Sequence, residues 1–349
     1  MSMAHVCHLN LSRGYRGGER QTELLIRALS QRGLTQRAVV RAGQPLGQRL
    51  ADVPGLDIQA IARPFPTKLR CVQGDVVHAH DTRGAQLAWL RWRVSGLPYL
   101  VTRRLGKRPS NSALTRAVYA NAAACVGVAK SVSAVIAAYA GRPTTTVYSA
   151  LSDLAVNPEI RDRLRARWGS SYVVVNVAAL VDAQKGQSCL IEAAHGLAAR
   201  QSGMHFVLVG AGRDRERFER QARDGKASIE FAGFVDNVGD YLAAADAFVL
   251  PSRHEGIGGA ALDAMRAGLP VIASAVDGLP EFIEHDVNGL LVPAGDSRAL
   301  EQALLRLFEA PEWAHRMAVA GQETARAFNV DRMADAYQTI YQDITRGDA

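Results

Sequence analysis

The stretch Glu255-Gly-Ile-Gly-Gly-Ala-Ala-Leu-Asp263-Ala-Met-Arg-Ala-Gly268-Leu-Pro270-Val-Ile-Ala-Ser274 decides how the rest of the chain is read. It follows an apolar strand, Ala247-Phe-Val-Leu-Pro251, and a loop of Ser252, Arg253, His254 and Glu255. Glycines at 256, 258 and 259 lead into a helical run from Ala260 to Ala267. Gly268 is a natural helix stop, and Pro270 leads into the next strand. A strand, a glycine loop and a helix N-terminus gather unpaired N–H groups and the positive end of a helix dipole at one point, an arrangement that holds phosphate. Glu255 and Asp263 add hydroxyl-binding carboxylates beside it. Phosphate donors next to acceptors for sugar hydroxyls imply a nucleotide-sugar site.

These residues also carry a resemblance. An acid, seven residues, a second acid, then a small residue, a glycine and a Pro-Val-Ile strand form the signature of the family 4 retaining glycosyltransferases of the GT-B fold, among the group 1 glycosyltransferases. Glu255-Gly, Ala264-Met265, Ala267-Gly268 and Pro270-Val-Ile match it, and Asp263 stands where the family has Glu. Asp277-Gly-Leu-Pro-Glu281 and Asn288-Gly-Leu-Leu-Val-Pro293 resemble the family's next two segments. The resemblance covers nearly the whole chain and is densest from Val173 to Pro293. It implies an α/β GT-B fold, two doubly wound parallel-sheet (Rossmann-like) domains facing a central cleft.

The bounds agree. A chain of 349 residues exceeds what one hydrophobic core usually supports, so two domains are expected. Met1 to Leu11 lacks the basic start and long apolar run of a signal peptide, and no run of about 18 apolar residues predicts a membrane span. Cys7, Cys71, Cys125 and Cys189 have no metal-ligand or redox spacing and read as buried, reduced thiols. Residues 1–150 hold 21 Lys+Arg against 6 Asp+Glu, net +15, and the remainder holds 20 against 28, net −8. A basic half joined to an acidic half points to two domains with different partners.

Strands alternate with helices throughout. The first half shows strands at Met3–Leu9, Gln36–Arg41, Leu56–Ile61, Asp75–His78, Tyr99–Thr102, Cys125–Val128 and Thr144–Tyr148. The second shows Tyr172–Ala178, His205–Val209, Ile229–Ala232, Ala247–Leu250, Val271–Ala273 and Leu290–Val292. Such alternation implies parallel sheets. The boundary is expected near Ser149 to Asp153, giving an acceptor-binding domain at 1–150 and a nucleotide-sugar-binding domain at 151–325. A terminal segment, 326–349, carries a helix from Asp331 to Arg346 that in the resembled fold crosses back to the first domain.

In open parallel sheets ligands bind at the carboxyl ends of strands. Arg16-Gly17-Gly18-Glu19 follows the first strand; it reads as an ordinary Gly-Gly turn or, by resemblance, as the loop that closes over the donor diphosphate or the acceptor. Asp75-Val-Val-His78-Ala-His80 ends a strand, and Asp75 and His78 read as satisfied end-of-strand groups. His80 falls where the family presents a histidine to the donor sugar, and a histidine there can donate a hydrogen bond to a hydroxyl. A metal is not expected on this His-x-His pair, because no third ligand is spaced nearby. Lys185-Gly186 resembles the family's diphosphate clamp, although Ala179 stands where an Arg belongs. The resemblance therefore leaves leaving-group neutralisation to Lys185, the glycine-loop amides and Arg253. Gly210-Ala-Gly212 is no dinucleotide fingerprint, since its third glycine position is Arg215. It is more similar to the family's strand-end turn near the nucleotide, and Val235 to the backbone contact with the base. Carried over, Glu255 contacts the donor sugar, Gly256, Ile257 and Gly258 supply amides, and Asp263 binds ribose.

The absence of an Asp-x-Asp pair argues against a metal-bound diphosphate, and no nucleophile elbow appears. The expectation is a metal-independent hexosyltransferase with no cofactor, using a nucleoside diphosphate sugar, UDP-linked by resemblance to uridine-binding members. Its expected acceptor is an envelope glycan or a lipid-linked acceptor such as lipopolysaccharide core. The location expected is cytoplasmic, peripheral on the inner face of the cytoplasmic membrane, with the basic half against an anionic membrane surface. Nucleic acid is not expected, because no recognised nucleic-acid module accompanies the charge. A non-catalytic GT-B binding module and a nucleotide-sugar epimerase of the same fold are the alternatives.

Overall fold

The computed structural model describes residues 4–151, 154–200 and 203–347. Met3, where the first strand was expected to begin, and Ser152 and Asp153 in the expected boundary lie outside them. The chain forms two units, residues 1–150 with 328–349, and residues 151–327.

The first unit is built on β1 (Val6–Asn10), β2 (Gln36–Arg41), β3 (Leu56–Ile61), β4 (Val76–Ala79), β5 (Tyr99–Arg103), β6 (Ala124–Gly127) and β7 (Thr145–Thr146). They pair in the order β3-β2-β1-β4-β5-β6-β7, every pair parallel. The second contains β8 (Tyr172–Val177), β9 (Met204–Val209), β10 (Ser228–Gly233), β11 (Ala247–Leu250), β12 (Val271–Ser274) and β13 (Leu290–Val292). Their order is β10-β9-β8-β11-β12-β13, again parallel throughout. These are the two Rossmann-like sheets that the alternation implied. In each, strand order reverses beside the first strand, between β1 and β4 and between β8 and β11. Crossovers on opposite sides of that point leave a crevice at the strands' carboxyl ends.

Central strands of such sheets are covered on both faces, so they read as unbroken apolar runs. All of β1, β4, β11 and β12 is buried. Polar residues inside them must then find partners within the protein. Asn176 in β8 donates from Nδ2 to Val249 O at 2.8 Å, tying β8 to β11. His8 of β1 lies in register with His78 of β4, which sets both rings in one layer. Cys7, Cys71, Cys125 and Cys189 form no disulfide, and burial pushes the Cys7 thiol up to about 12.

The last helix, Val330–Arg346, closes the first unit's core. Met333, Ala334, Tyr337, Tyr341 and Ile344 recur at helical spacing and are buried with Val6, Leu25, Leu29, Val76, Leu100 and Val126. Two of its tyrosines also satisfy the buried polar layer. Tyr341 Oη lies 2.6 Å from His78 Nδ1, and Tyr337 Oη 2.9 Å from Thr102 Oγ1, which in turn is 2.7 Å from His78 Nε2. Tyr341→Phe leaves a desolvated ring nitrogen without its partner. It should cost about 1–3 kcal/mol of stability in urea unfolding of the full chain; an unchanged midpoint would show that the hydroxyl contributes nothing.

Candidate active site

The second unit brings together two loops whose residues are 70 positions apart. After β8 the chain turns into a single helical turn, Asp182–Lys185, ending at Gly186 in the left-handed region (φ +64°). A Cβ on Gly186 would fall 2.1 Å from Pro251 O, so only glycine lets this turn approach the loop after β11. Gln184 O accepts from the N–H groups of Arg253 and His254 at 2.9 and 3.1 Å, which fastens the two loops. Lys185 Nζ consequently meets Glu255 Oε1 in a nearly buried ion pair. The same oxygen accepts from Ser252 Oγ at 2.7 Å, and the Glu255 N–H donates to Asp277 Oδ2 at 2.7 Å. Asp182 sits beside them with Arg217 Nη2 at 3.3 Å and Arg253 Nη2 at 3.6 Å.

The glycine loop then supplies the donors. Gly258 caps helix Gly259–Arg266 at φ +77°, and a Cβ there would fall 2.4 Å from Leu279 Cδ2. Ala261 and Leu262 turn their N–H groups back to Gly258 O at 2.9 and 3.3 Å. Those of Gly256, Ile257, Gly258, Gly259 and Ala260 have no protein acceptor among the described residues. Ile257 is buried within this loop. Asp263 is half-buried in the middle of this helix. Around the end of β9, Gly210 N–H donates to Gly233 O at 2.7 Å, and Val235 follows two residues later, half-buried beside an exposed Phe234. Ala179, in the expected arginine position, offers its carbonyl to Gln187 Nε2 at 2.8 Å.

The first unit has a second constellation at its own point of reversal. Gly17 and Gly18 open helix Gly17–Gln31, and Glu19 accepts the Arg16 N–H at 2.9 Å. Arg104, which follows β5, passes over Gly18; its Cδ is 3.5 Å from where a Cβ would stand. Its Nη2 reaches 3.4 Å from His80 Nδ1, and burial lowers its pKa. His80 Nε2 is 3.0 Å from His8 Nδ1, His8 Nε2 is 3.0 Å from Gln36 Oε1, and Gln36 Nε2 donates to Ile26 O at 3.0 Å. A guanidinium only donates. The chain therefore runs one way: Arg104 to His80, His80 Nε2–H to His8, His8 Nε2–H to Gln36. His80 spends its own N–H inside the unit and presents Nδ1 as an acceptor.

Sequence spacing did not reveal His8 as a neighbour of the His-x-His pair. His8, His78 and His80 are the group among the described residues whose ligand atoms lie within 4.8 Å of one another. Their nitrogens are taken up by one another, Gln36, Thr102, Tyr341 and Arg104. Asp75 accepts the His5 N–H at 2.8 Å.

Residues 171–310 match the family model described as glycosyl transferases group 1. Over 93% of this chain and 94% of its own length, the lipopolysaccharide core biosynthesis glycosyltransferase LpsD of Rhizobium meliloti (strain 1021) is 26% identical. LpsE of the same organism, described in the same words, is 28% identical over 92% of this chain and 94% of its own length. The crystal structure of Anabaena Alr3699/HepE in complex with UDP-glucose superposes with a TM-score of 0.86 at 18% identity, covering 97% of this chain and 100% of that one.

Burial of the histidine layer gives a pH signature. Desolvation lowers His8 from its ordinary value to about 4, despite its bond to Gln36, and holds His78 and His80 well below theirs. As pH falls from about 6.5 towards 4, unfolded His8 takes up a proton that the folded form refuses. Stability is therefore full above that window and declines through it, approaching about 1.4 kcal/mol per pH unit for one such group. The urea midpoint of the wild type should fall more steeply between pH 6.5 and 4.5 than that of His8→Gln; parallel profiles would show that His8 is not held neutral. Two parallel Rossmann-like sheets and the superposition give the chain a GT-B fold, and within it residues 171–310 are the part that matches the group 1 glycosyl transferase family model.

Proposed function

We propose that the chain transfers a hexose-type sugar from a UDP-sugar to an envelope glycan or lipid-linked acceptor such as lipopolysaccharide core, with retention and without a metal. The observation that carries this reading is the meeting of Lys185 with Glu255 beside five unengaged N–H groups at a helix start. An anionic diphosphate suits those amides and the lysine. Glu255 neutralises Lys185 through their ion pair; when its carboxylate turns to a sugar hydroxyl, the ammonium is freed for the departing diphosphate. Preorganised charge of this kind acts where negative charge develops and needs no rearrangement of water. Gly256, Ile257 and Gly258 line the diphosphate and sugar, Arg253 adds charge, Val235 and Gly210 stand by the base, and Asp263 takes the ribose hydroxyls.

In the first unit Gly17, Gly18 and His80 serve the sugar end of the donor or the acceptor. His80 accepts a hydrogen bond from a hydroxyl at Nδ1 in place of the long contact from Arg104. The relatives described as lipopolysaccharide core glycosyltransferases support the acceptor class, and the HepE complex supports UDP-glucose as the kind of donor. The basic first unit, net +15 over residues 1–150, suits a place at an anionic membrane face on the cytoplasmic side.

UDP should raise the melting temperature and GDP should not, a ligand at 100 times its Kd adding about 2.7 kcal/mol; the reverse order would overturn the donor. Lys185→Ala should slow transfer at least ten-fold, about 1.4 kcal/mol of transition-state stabilisation, in a protein that still melts like the wild type. An undiminished rate would remove Lys185 from the site.

Asp263 is one methylene shorter than the family's Glu, so its carboxylate stands roughly 1.5 Å nearer the helix, and a bridging water can make up the distance. Asp263→Ala should raise KM for the donor, and Asp263→Glu should be tolerated. The sharper measurement uses a 2′-deoxyribose donor. Wild type should lose affinity for it while Asp263→Ala barely distinguishes it; equal discrimination by both would show that Asp263 does not hold the ribose.

A further inference from the structure

Four arginines crowd the carboxyl ends of four adjacent strands in the first unit. Arg63 follows β3, Arg41 ends β2, Arg13 follows β1, and Arg83 lies in the first turn of the helix after β4. The sheet order β3-β2-β1-β4 sets these loops side by side. Desolvation and then the charges of Arg13, Arg63 and Arg83 lower the Arg41 pKa. Phe65, buried beneath, has the guanidinium carbons of Arg41 and Arg63 each 5.8 Å from its ring centroid.

None of the four guanidinium groups makes a hydrogen bond or ion pair among the described residues, and Arg41 Nη1 is buried without a partner. Other arginines of the unit are treated differently. Arg27 and Arg49 are held by Glu23, and Arg37 by Asp57. Asp81, the acid nearest in sequence to Arg83, commits its oxygens to the N–H groups of Leu11, Arg83 and Gly84. Holding four cations together with one nitrogen desolvated costs stability, and no carboxylate among the described residues pairs with them. A bound anion offsets both, and guanidinium forks match phosphate oxygens in pairs. Four full charges suit a dianionic phosphate ester better than one carboxylate.

We propose that Arg13, Arg41, Arg63 and Arg83 form a subsite for a phosphate ester carried on the sugar acceptor. This deepens, and rests on, the glycosyltransferase reading. Recognition would be electrostatic and bidentate, with Phe65 fixing the two guanidinium planes, and it would favour phosphorylated over neutral glycans.

The test is calorimetric titration of the full chain with glucose 6-phosphate and with glucose. Wild type should bind the phosphate ester at least ten-fold tighter, and the Arg41→Ala/Arg63→Ala double variant should lose most of that preference while binding UDP unchanged. Because Arg41 is half-buried, Arg63→Glu at an exposed position is the second variant, and it should weaken glucose 6-phosphate in the same direction. Equal affinity for the two sugars, or glucose 6-phosphate binding untouched in both variants, would overturn the subsite. Flotation with phosphatidylglycerol vesicles separates the two sources of phosphate. If the double variant loses vesicle binding and keeps glucose 6-phosphate, the site takes lipid headgroups and the assignment to a sugar acceptor falls. If it loses glucose 6-phosphate and keeps vesicles, the assignment stands. Failure of UDP to bind the wild type would remove the donor reading and leave the comparison of variants intact.

Discussion

Every strand in both sheets runs parallel to its neighbours, and a parallel pair needs a crossover that returns the chain to the same starting edge. That constraint fixes most of the architecture. It places the loops after the strands, and the helix starts beyond them, along the carboxyl edge. It also buries both faces of the central strands, so any polar residue there must be answered from within. At the two points where strand order reverses, the edge opens. The Lys185–Glu255 pair occupies one such point and the Gly17–Gly18 turn with His80 the other.

The sequence made the sheets legible because buried parallel strands are apolar runs bounded by polar or glycine-rich loops. Gln36–Arg41, Leu56–Ile61 and Leu290–Val292 have the bounds their patterns imply. At the sheet edge the signal was weaker: Thr144–Tyr148 shortens to Thr145–Thr146, an edge pair held by β6 alone. The glycines at 256, 258 and 259 announced a helix start with free amides, since glycine and the following helix are local signals. Lys185 and Glu255 were each visible, but their pairing depends on Gly186 admitting Pro251 O, a tertiary fact.

The histidine layer was half legible. His78 and His80 stand out as His-x-His at a strand end. His8 is hidden in an apolar strand, and only the β1–β4 register joins it to them. A polar residue in the middle of a wholly buried strand was the available clue, and Gln36 is a buried polar residue that opens β2. Arg104 had no local signal beyond its place in a basic run. The arginines at 13, 41, 63 and 83 are scattered in sequence, and only the strand order shows that they are neighbours. Net charge by halves reported their excess without their convergence.

The closing helix has a consequence for biosynthesis. The first unit's core takes Met333, Tyr337 and Tyr341 from the far end of the chain, whereas the second unit is one continuous stretch, 151–327. During synthesis the second unit can complete itself once its own last residues emerge. The first unit, though begun earlier, keeps part of its core uncovered until the helix Val330–Arg346 has also emerged. The order of completion is thus the reverse of the order of synthesis, and the N-terminal sheet is the part of the nascent chain most in need of protection from aggregation.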